Sequence, residues 1–359
     1  SRGVRSRRVR SRGVRPMSGH GPGALTRRAV LASLGLTALG LTAAGCGQRG
    51  YTGPARTVTI AAGEPGGFYI EFAELLAAEI TDEEPRLRAV AVPTEGSLDN
   101  VGLLADGKAD LALVLADAAQ ATATTGGPLP TPVPMLAIGR VYENYLQLVV
   151  LADSPVHRLT DLAGRTASLG AHGSGAELIG DRLLAAAGLS AAGPNPAGPN
   201  ASGPTATAGV TVQHRLLADA TAALERAQIA ALLWSGGVPT PALAALAGRR
   251  PIRLLALDSV IPALRSAYGP VYEPTAVPAD AYGPAAGVAT IGVANLLVCH
   301  PDADPALTAT VARVLVTHAA RLVPEQALGT QFLDPRNLIV TAGIPLHPGA
   351  VAAYRDLHG

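Results

Sequence analysis

The stretch Gly63-Glu64-Pro65-Gly66-Gly67-Phe68-Tyr69-Ile70-Glu71-Phe72-Ala73-Glu74-Leu75-Leu76, GEPGGFYIEFAELL, sets a glycine-rich loop between an apolar strand, Val58–Ala61, and an amphipathic helix. Positions 69, 72, 73, 76, 77 and 80 are apolar, close to the 3.6-residue period. The unit then repeats. Leu87–Val92 reads as a strand, Ser97–Ala105 as a helix and Leu111–Leu115 as a strand, with Asp117 placed to cap the helix after it. Further strands are expected at Leu146–Leu151, Arg165–Leu169, Val210–Arg215, Ala230–Trp234, Ile252–Leu257 and Ile291–Val298. Helices are expected at Gly175–Ala187, Leu217–Ala227, Pro239–Ala247 and Pro305–Val323. Such alternation implies a parallel sheet covered on both faces. There is too much of it for one sheet, which predicts two α/β lobes, with the late strand and the C-terminal helix returning to the first.

The N-terminus carries a targeting pattern. After Met17, Thr26-Arg27-Arg28 precedes an uncharged apolar run, Ala29–Ala44, and then Gly45-Cys46. Basic region, short apolar region and small residues in this order match a signal peptide, and the run is shorter than the ~20 residues of a membrane-spanning helix. The paired arginines resemble a twin-arginine export signal. The segment ending at Cys46 resembles a lipobox, with Ala43 where leucine is usual, which implies acylation of Cys46 and a lipid anchor. Residues 1–16 repeat SRGVR and read as sequence upstream of the true start, 17–46 as the signal peptide, and 47–56 as a polar tether. If Cys46 is acylated, Cys299 has no partner and reads as a buried small hydrophobe. The segment 191–209, AAGPNPAGPNASGPTATAG, has no apolar periodicity and is expected as a disordered insertion.

Net charge is +1, and most of the basic excess lies in the first 28 residues, so no basic stripe is left to meet a nucleic acid. Three glycine-containing junctions precede helices: Gly63–Phe68, Thr94–Asn100 and Gly170–Glu177. Unpaired amides and the positive dipole end at such a helix start attract an anion, although a Gly-Ser start also caps a helix with no ligand at all. The first loop lacks the Lys-Ser/Thr of a P-loop, and Ser174 lacks the glycine two residues before it that a hydrolase nucleophile elbow needs. The eight histidines show no metal-ligand spacing, so no metal or cofactor is expected. A fourth junction, Trp234–Pro241, follows a strand, where open α/β sheets place ligands; Trp234 is the ligand candidate there, and Pro239 is expected in the first helical turn.

In order from about Val58 to His358, the segments at 63–80, 93–119, 142–189, 222–247, 252–258 and 344–359 resemble the TAXI family, the solute-binding subunits of TRAP transporters. The resemblance implies a two-lobed periplasmic-binding-protein fold of type II, with lobe 1 at 57–145 plus 288–359 and lobe 2 at 146–287. It implies a cleft that closes on a small carboxylate or amino acid, delivery to ion-gradient-driven permease subunits, and a monomer. Carried over by position, the contacts fall at Gly66, Gly67, Phe68 and Tyr69; at Gly96, Ser97 and Asn100; at Gly173, Ser174, Gly175 and Glu177; and at Gly237, Val238 and Pro239.

The chain departs from the family pattern at Glu64, where the first loop brings a carboxylate into a site suited to anions. Glu64 either points away from the ligand or selects one with an amino group. Arg140 is a candidate charge partner, or else part of a surface or hinge salt bridge. A sensory subunit, an ATP-driven importer's binding protein and an enzyme on the same scaffold remain alternatives; the enzyme would need a nucleophile–base pair facing the cleft, and the sequence offers none.

Overall fold

A computed structural model of the chain describes residues 50–192, 209–325, 327 and 336–358. The signal-peptide region with Cys46, and residues 193–208 of the expected insertion, lie outside them. The folded region starts earlier than the sequence suggests: Tyr51 is buried, and its amide donates to Glu84 at 2.9 Å, so the end of the expected tether is anchored by an aromatic ring. Ala191–Ala192, at the edge of the expected insertion, form a short strand instead.

The strands are β1 (Arg56–Ala61), β2 (Leu87–Val92), β3 (Leu111–Leu115), β4 (Leu136–Leu151), β5 (Thr166–Ser168), β6 (Ala191–Ala192), β7 (Val210–Gln213), β8 (Ala231–Gly236), β9 (Ile252–Leu255), β10 (Tyr272–Val277) and β11 (Val288–Cys299). The helices are α1 (Phe68–Glu83), α2 (Ser97–Ala105), α3 (Ala116–Thr122), α4 (Gly175–Ala186), α5 (Leu217–Glu225), α6 (Pro241–Arg249), α7 (Ile261–Tyr268), α8 (Pro305–Thr317) and α9 (Pro348–His358).

Among the described residues the strands join one hydrogen-bonded sheet in the order β2-β1-β3-β11-β4-β8-β5-β7-β6, with β10 on β11 and β9 on β4. The expectation of separate sheets is therefore corrected. Two long strands, β4 of 16 residues and β11 of 12, run antiparallel through the middle and carry the ladder from one half to the other. Outside them the pairings are parallel, β1 with β2 and β3, and β5 with β7 and β8. Parallel βα units build each flank, and the antiparallel crossing links them.

Helix α8 returns to the first flank, as expected, and packs on α1 and α9 around Phe72, Leu76, Ile80, Val311 and Leu315. The opposite flank buries Leu224, Leu232, Leu243 and Leu246 between α5, α6 and β8. Cys299 is buried and free in β11, and burial pushes its thiol up to about 12. Helix α8 stops at Thr317, short of the expected Val323, and α6 begins at Pro241 rather than Pro239. Pro241 is the N1 proline; Pro239 lies before the helix, after a cis peptide bond to Val238.

Asp117 does not cap α3. Strand β3 runs straight into the helix at Ala116, so Asp117 is its second residue and turns inward. Its Oδ2 lies 3.2 Å from Arg182 Nη1 of α4 and accepts from the Tyr272 hydroxyl at 2.9 Å; Arg182 also donates to that hydroxyl at 2.8 Å. This ion pair joins the first flank to α4 behind the cleft.

Candidate functional site

A cavity of about 40 Å³ lies where the flanks face each other. Its walls include Gly67, Phe68 and Tyr69 from the first loop, Gly96 and Ser97 from the second, Ser174, Gly175 and Ala176 from the third, and Trp234, Ser235 and Gly236 from β8. Gly63, Glu64, Glu95, Leu115 and Asn144 complete it.

The first turns of α1, α2 and α4 therefore converge on one space. Their leading amides have no acceptor within their own helices, so the positive end of each dipole is directed at the cavity. Gly96 takes φ +126, a backbone few side-chain-bearing residues adopt, and its Cα faces Ser174 across the gap. A Cβ at Gly237 would lie 2.4 Å from the Phe68 ring, so a bare backbone there lets the fourth junction close on the first loop. Two amides of α2, Leu98 and Asp99, donate across the gap to the Gly173 carbonyl at 3.0 and 3.1 Å. The flanks are drawn together.

A hydrogen-bonded chain runs along the floor. The Tyr69 hydroxyl lies 3.3 Å from Ser97 Oγ and donates a short bond to Asn295 Oδ1. Asn295 Nδ2 donates to Asn144 Oδ1 at 2.8 Å, and Asn144 Nδ2 donates to the carbonyl and hydroxyl of Ser235 at 3.2 Å each. The chain crosses β11, β4 and β8, fixing the polar floor where the two flanks meet. Two groups on the walls stand out. Trp234 is 9% exposed, and its Nε1 is buried with no hydrogen-bond partner. Glu64 is 6% exposed, and its Oε2 accepts from the Leu217 amide at the start of α5 at 2.6 Å, across the cleft from its own loop. Burial lifts the Glu64 carboxyl from 4.5 to about 7, against the Leu217 bond, with Glu95 and Asp219 adding repulsion.

Of the residues proposed from sequence, Gly67, Phe68, Tyr69, Gly96, Ser97, Ser174, Gly175 and Trp234 line the cavity; Gly66, Asn100, Gly173, Glu177, Gly237, Val238 and Pro239 do not. Asn100 instead donates to the carbonyls of Ala62 and Leu113, tying β1 to β3. Glu177 turns back on its own loop, accepting from the Gly173 amide at 2.6 Å and meeting His172 Nδ1 at 3.0 Å. Arg140 pairs with Glu143 three residues on at 3.2 Å and is not among the residues lining the cavity. Glu64, Glu95, Asn144 and Ser235 were not among the proposed contacts. Glu64 had a signal, as a carboxylate in a glycine loop; Asn144 and Ser235 join the site only through the β4–β8 register, which pairs Leu146 with Ser235.

A family model described as NMT1-like matches residues 60–357. The chain belongs to the NMT1-like family. No curated protein matches its sequence. Among solved structures this NMT1-like chain is similar to the periplasmic binding protein BugD, with TM-score 0.51 and 16% identity over 85% of this chain and 97% of that one. The aliphatic sulphonate binding protein SsuA from Escherichia coli matches with TM-score 0.44 and 17% identity over 84% and 79%. XAC2383 from Xanthomonas citri, bound to ATP, matches with TM-score 0.47 and 13% identity over 84% and 98%. The fold is the two-lobed α/β fold of periplasmic binding proteins. Among the described residues no helix is long and apolar enough to cross a membrane, and no group of three or more His, Cys, Asp or Glu is placed to hold a metal ion.

Proposed function

We propose that this chain is the extracytoplasmic solute-binding subunit of a TRAP-type importer of the TAXI kind, held to the membrane through Cys46, and that it captures a small carboxylate or amino acid in the cavity between 57–145 plus 288–359 and 146–287. The observation that carries the reading is Trp234 Nε1: a buried donor with no acceptor, set in a wall where three helix starts converge. Nearly all buried polar groups in folded proteins are paired, so an acceptor brought by a solute accounts for it. A solute carboxylate held by neutral amides and this indole gains charge-assisted hydrogen bonds without a salt bridge. Binding also favours the closed arrangement, because a solute between the flanks touches both at once.

The cavity supports capture over turnover. Its serine hydroxyls accept structural hydrogen bonds, Ser97 from the Leu115 amide at 3.1 Å, Ser174 from the Glu177 amide at 3.1 Å and Ser235 from Asn144 at 3.2 Å, while the Glu64 carboxylate is held by the Leu217 amide, so no nucleophile–base pair is assembled there among the described residues.

The test is a thermal-shift screen of the full chain against dicarboxylates, keto acids and amino acids, with Trp234, the single tryptophan, as a fluorescence reporter. Binding raises the melting temperature and changes the emission. No stabilisation by any small acid, together with turnover of an ester or amide, would move the reading to an enzyme. Cys46→Ser is expected to release the chain from the membrane fraction; unchanged partitioning would remove the anchor.

A further inference from the structure

The cavity described above has an unbalanced charge. Among the described residues, the side chains lining it include two carboxylates, Glu64 and Glu95, and no lysine, arginine or histidine. Glu95 stands exposed at the mouth, while Glu64 is nearly all buried. The Leu217 amide occupies Glu64 Oε2. The charged groups that bear on this carboxyl, Glu95 of the second loop and Asp219 of α5, are both acidic. A carboxylate buried without a cation is costly, and proteins that keep one either leave it protonated or supply a positive charge. Opposite this acidic wall stand the Trp234 indole, a buried donor without an acceptor, and the positive ends of the α1, α2 and α4 dipoles.

The two walls thus ask for opposite things of one solute. We infer that the solute carries a cationic nitrogen set against Glu64 as well as an acceptor group set against Trp234 Nε1 and the helix starts, so that the site selects a small amino acid over a hydroxy acid or dicarboxylic acid of the same size. This rests on the capture reading and narrows it. Burial holds the Glu64 carboxyl near 7, so a neighbouring ammonium draws off its proton and gains a full ion pair where water is already excluded. A dicarboxylate would instead set a third carboxylate beside Glu64 and Glu95.

The competing explanation is that Glu64 serves only as a cap for α5 across the cleft. Glu64→Gln separates the two, because the amide oxygen can still accept from Leu217 while the charge is lost. Titration calorimetry on the full chain compares three pairs that differ in amine against hydroxyl: alanine with lactate, serine with glycerate, aspartate with malate. The expected result is at least about tenfold tighter binding of one or more amino acids than of their hydroxy partners, the range of one charge-assisted hydrogen bond, and loss of that preference in Glu64→Gln. Equal or tighter binding of the hydroxy acids by the natural chain overturns the inference and leaves capture standing. So does a Glu64→Gln variant that weakens both members of a pair alike, which is the signature of a cap. If none of the six, and no other small acid in the thermal-shift screen, binds at all, the capture reading itself fails and the inference with it.

Discussion

Two carboxylates of the first flank reach across to the second, and they meet different partners. Asp117 meets Arg182 and the Tyr272 hydroxyl; Glu64 meets a single backbone amide, at Leu217. Both are buried and both are lifted, with desolvation as the first cause, but only Asp117 has a cation to oppose the lift. The difference separates a structural tie from a site. A carboxylate with its countercharge supplied by the chain has no need of a solute. One whose countercharge is missing, and which lines a cavity, is in a state that a solute can change.

The comparison is tested most severely at Asp117. Removing one member of a buried pair leaves the other charge uncompensated, so Asp117→Ala is expected to lower stability by about 3–5 kcal/mol. Arg182 is also held by its cation–π contact with the Tyr268 ring at 4.4 Å, so its guanidinium cannot simply swing to water. Replacing it as well, in Asp117→Ala/Arg182→Met, removes the stranded charge and is expected to recover most of the loss. Urea midpoints of the two variants decide it: if the double variant is no more stable than the single one, the pair is not the tie described.

At Glu64 the effect depends on pH. Its carboxyl is lifted from 4.5 unfolded to about 7 folded, so the folded chain binds this proton more tightly than the unfolded chain. The associated stability is fully present below about pH 4.5 and is lost as pH rises through about 7, a change on the order of 3 kcal/mol. The difference in unfolding free energy between the natural chain and Glu64→Gln, followed from pH 4.5 to 8 without solute, is expected to trace that fall. A flat difference would mean that Glu64 is as well solvated as any surface acid, and the contrast with Asp117 would collapse.

Sequence reading reached the flanks more readily than their junction. Ser97–Ala105 and Leu111–Leu115 coincide with α2 and β3, because both lie within one βα unit whose apolar pattern is local. β4 was legible only over Leu146–Leu151, since its first part carries the half-buried Arg140 and the buried Glu143 and Asn144, polar residues placed there by the crossing rather than by alternation. The antiparallel crossing itself depends on β11, more than a hundred residues away, and no local pattern reports such a pairing. Helix α9 was missed because its apolar face is built of alanines and a tyrosine, too weak a contrast to mark a period. The glycine junctions showed where a site would form. Which carboxylate would turn into it, Glu64 or Glu177, depended on what lay opposite each loop.

Glu177 supplies the smallest test, because it and Ser174 stay at home. Ser174 Oγ accepts from the Glu177 amide at 3.1 Å, and the Glu177 carboxylate accepts from the Gly173 amide, so the third loop closes on itself as a reciprocal cap. Ser174→Ala is therefore expected to cost about 1 kcal/mol of folding stability, the usual worth of a lost N-cap. Yet Ser174 also lines the cavity, and its hydroxyl stands between two roles. Measuring stability without solute and affinity for the best-bound solute on the same variant separates them. A loss confined to stability keeps the third loop as a cap whose backbone alone faces the solute. A stability unchanged within a few tenths of a kcal/mol, with affinity down tenfold, would make Ser174 a direct contact and erase the distinction between a loop that reaches across and one that holds itself.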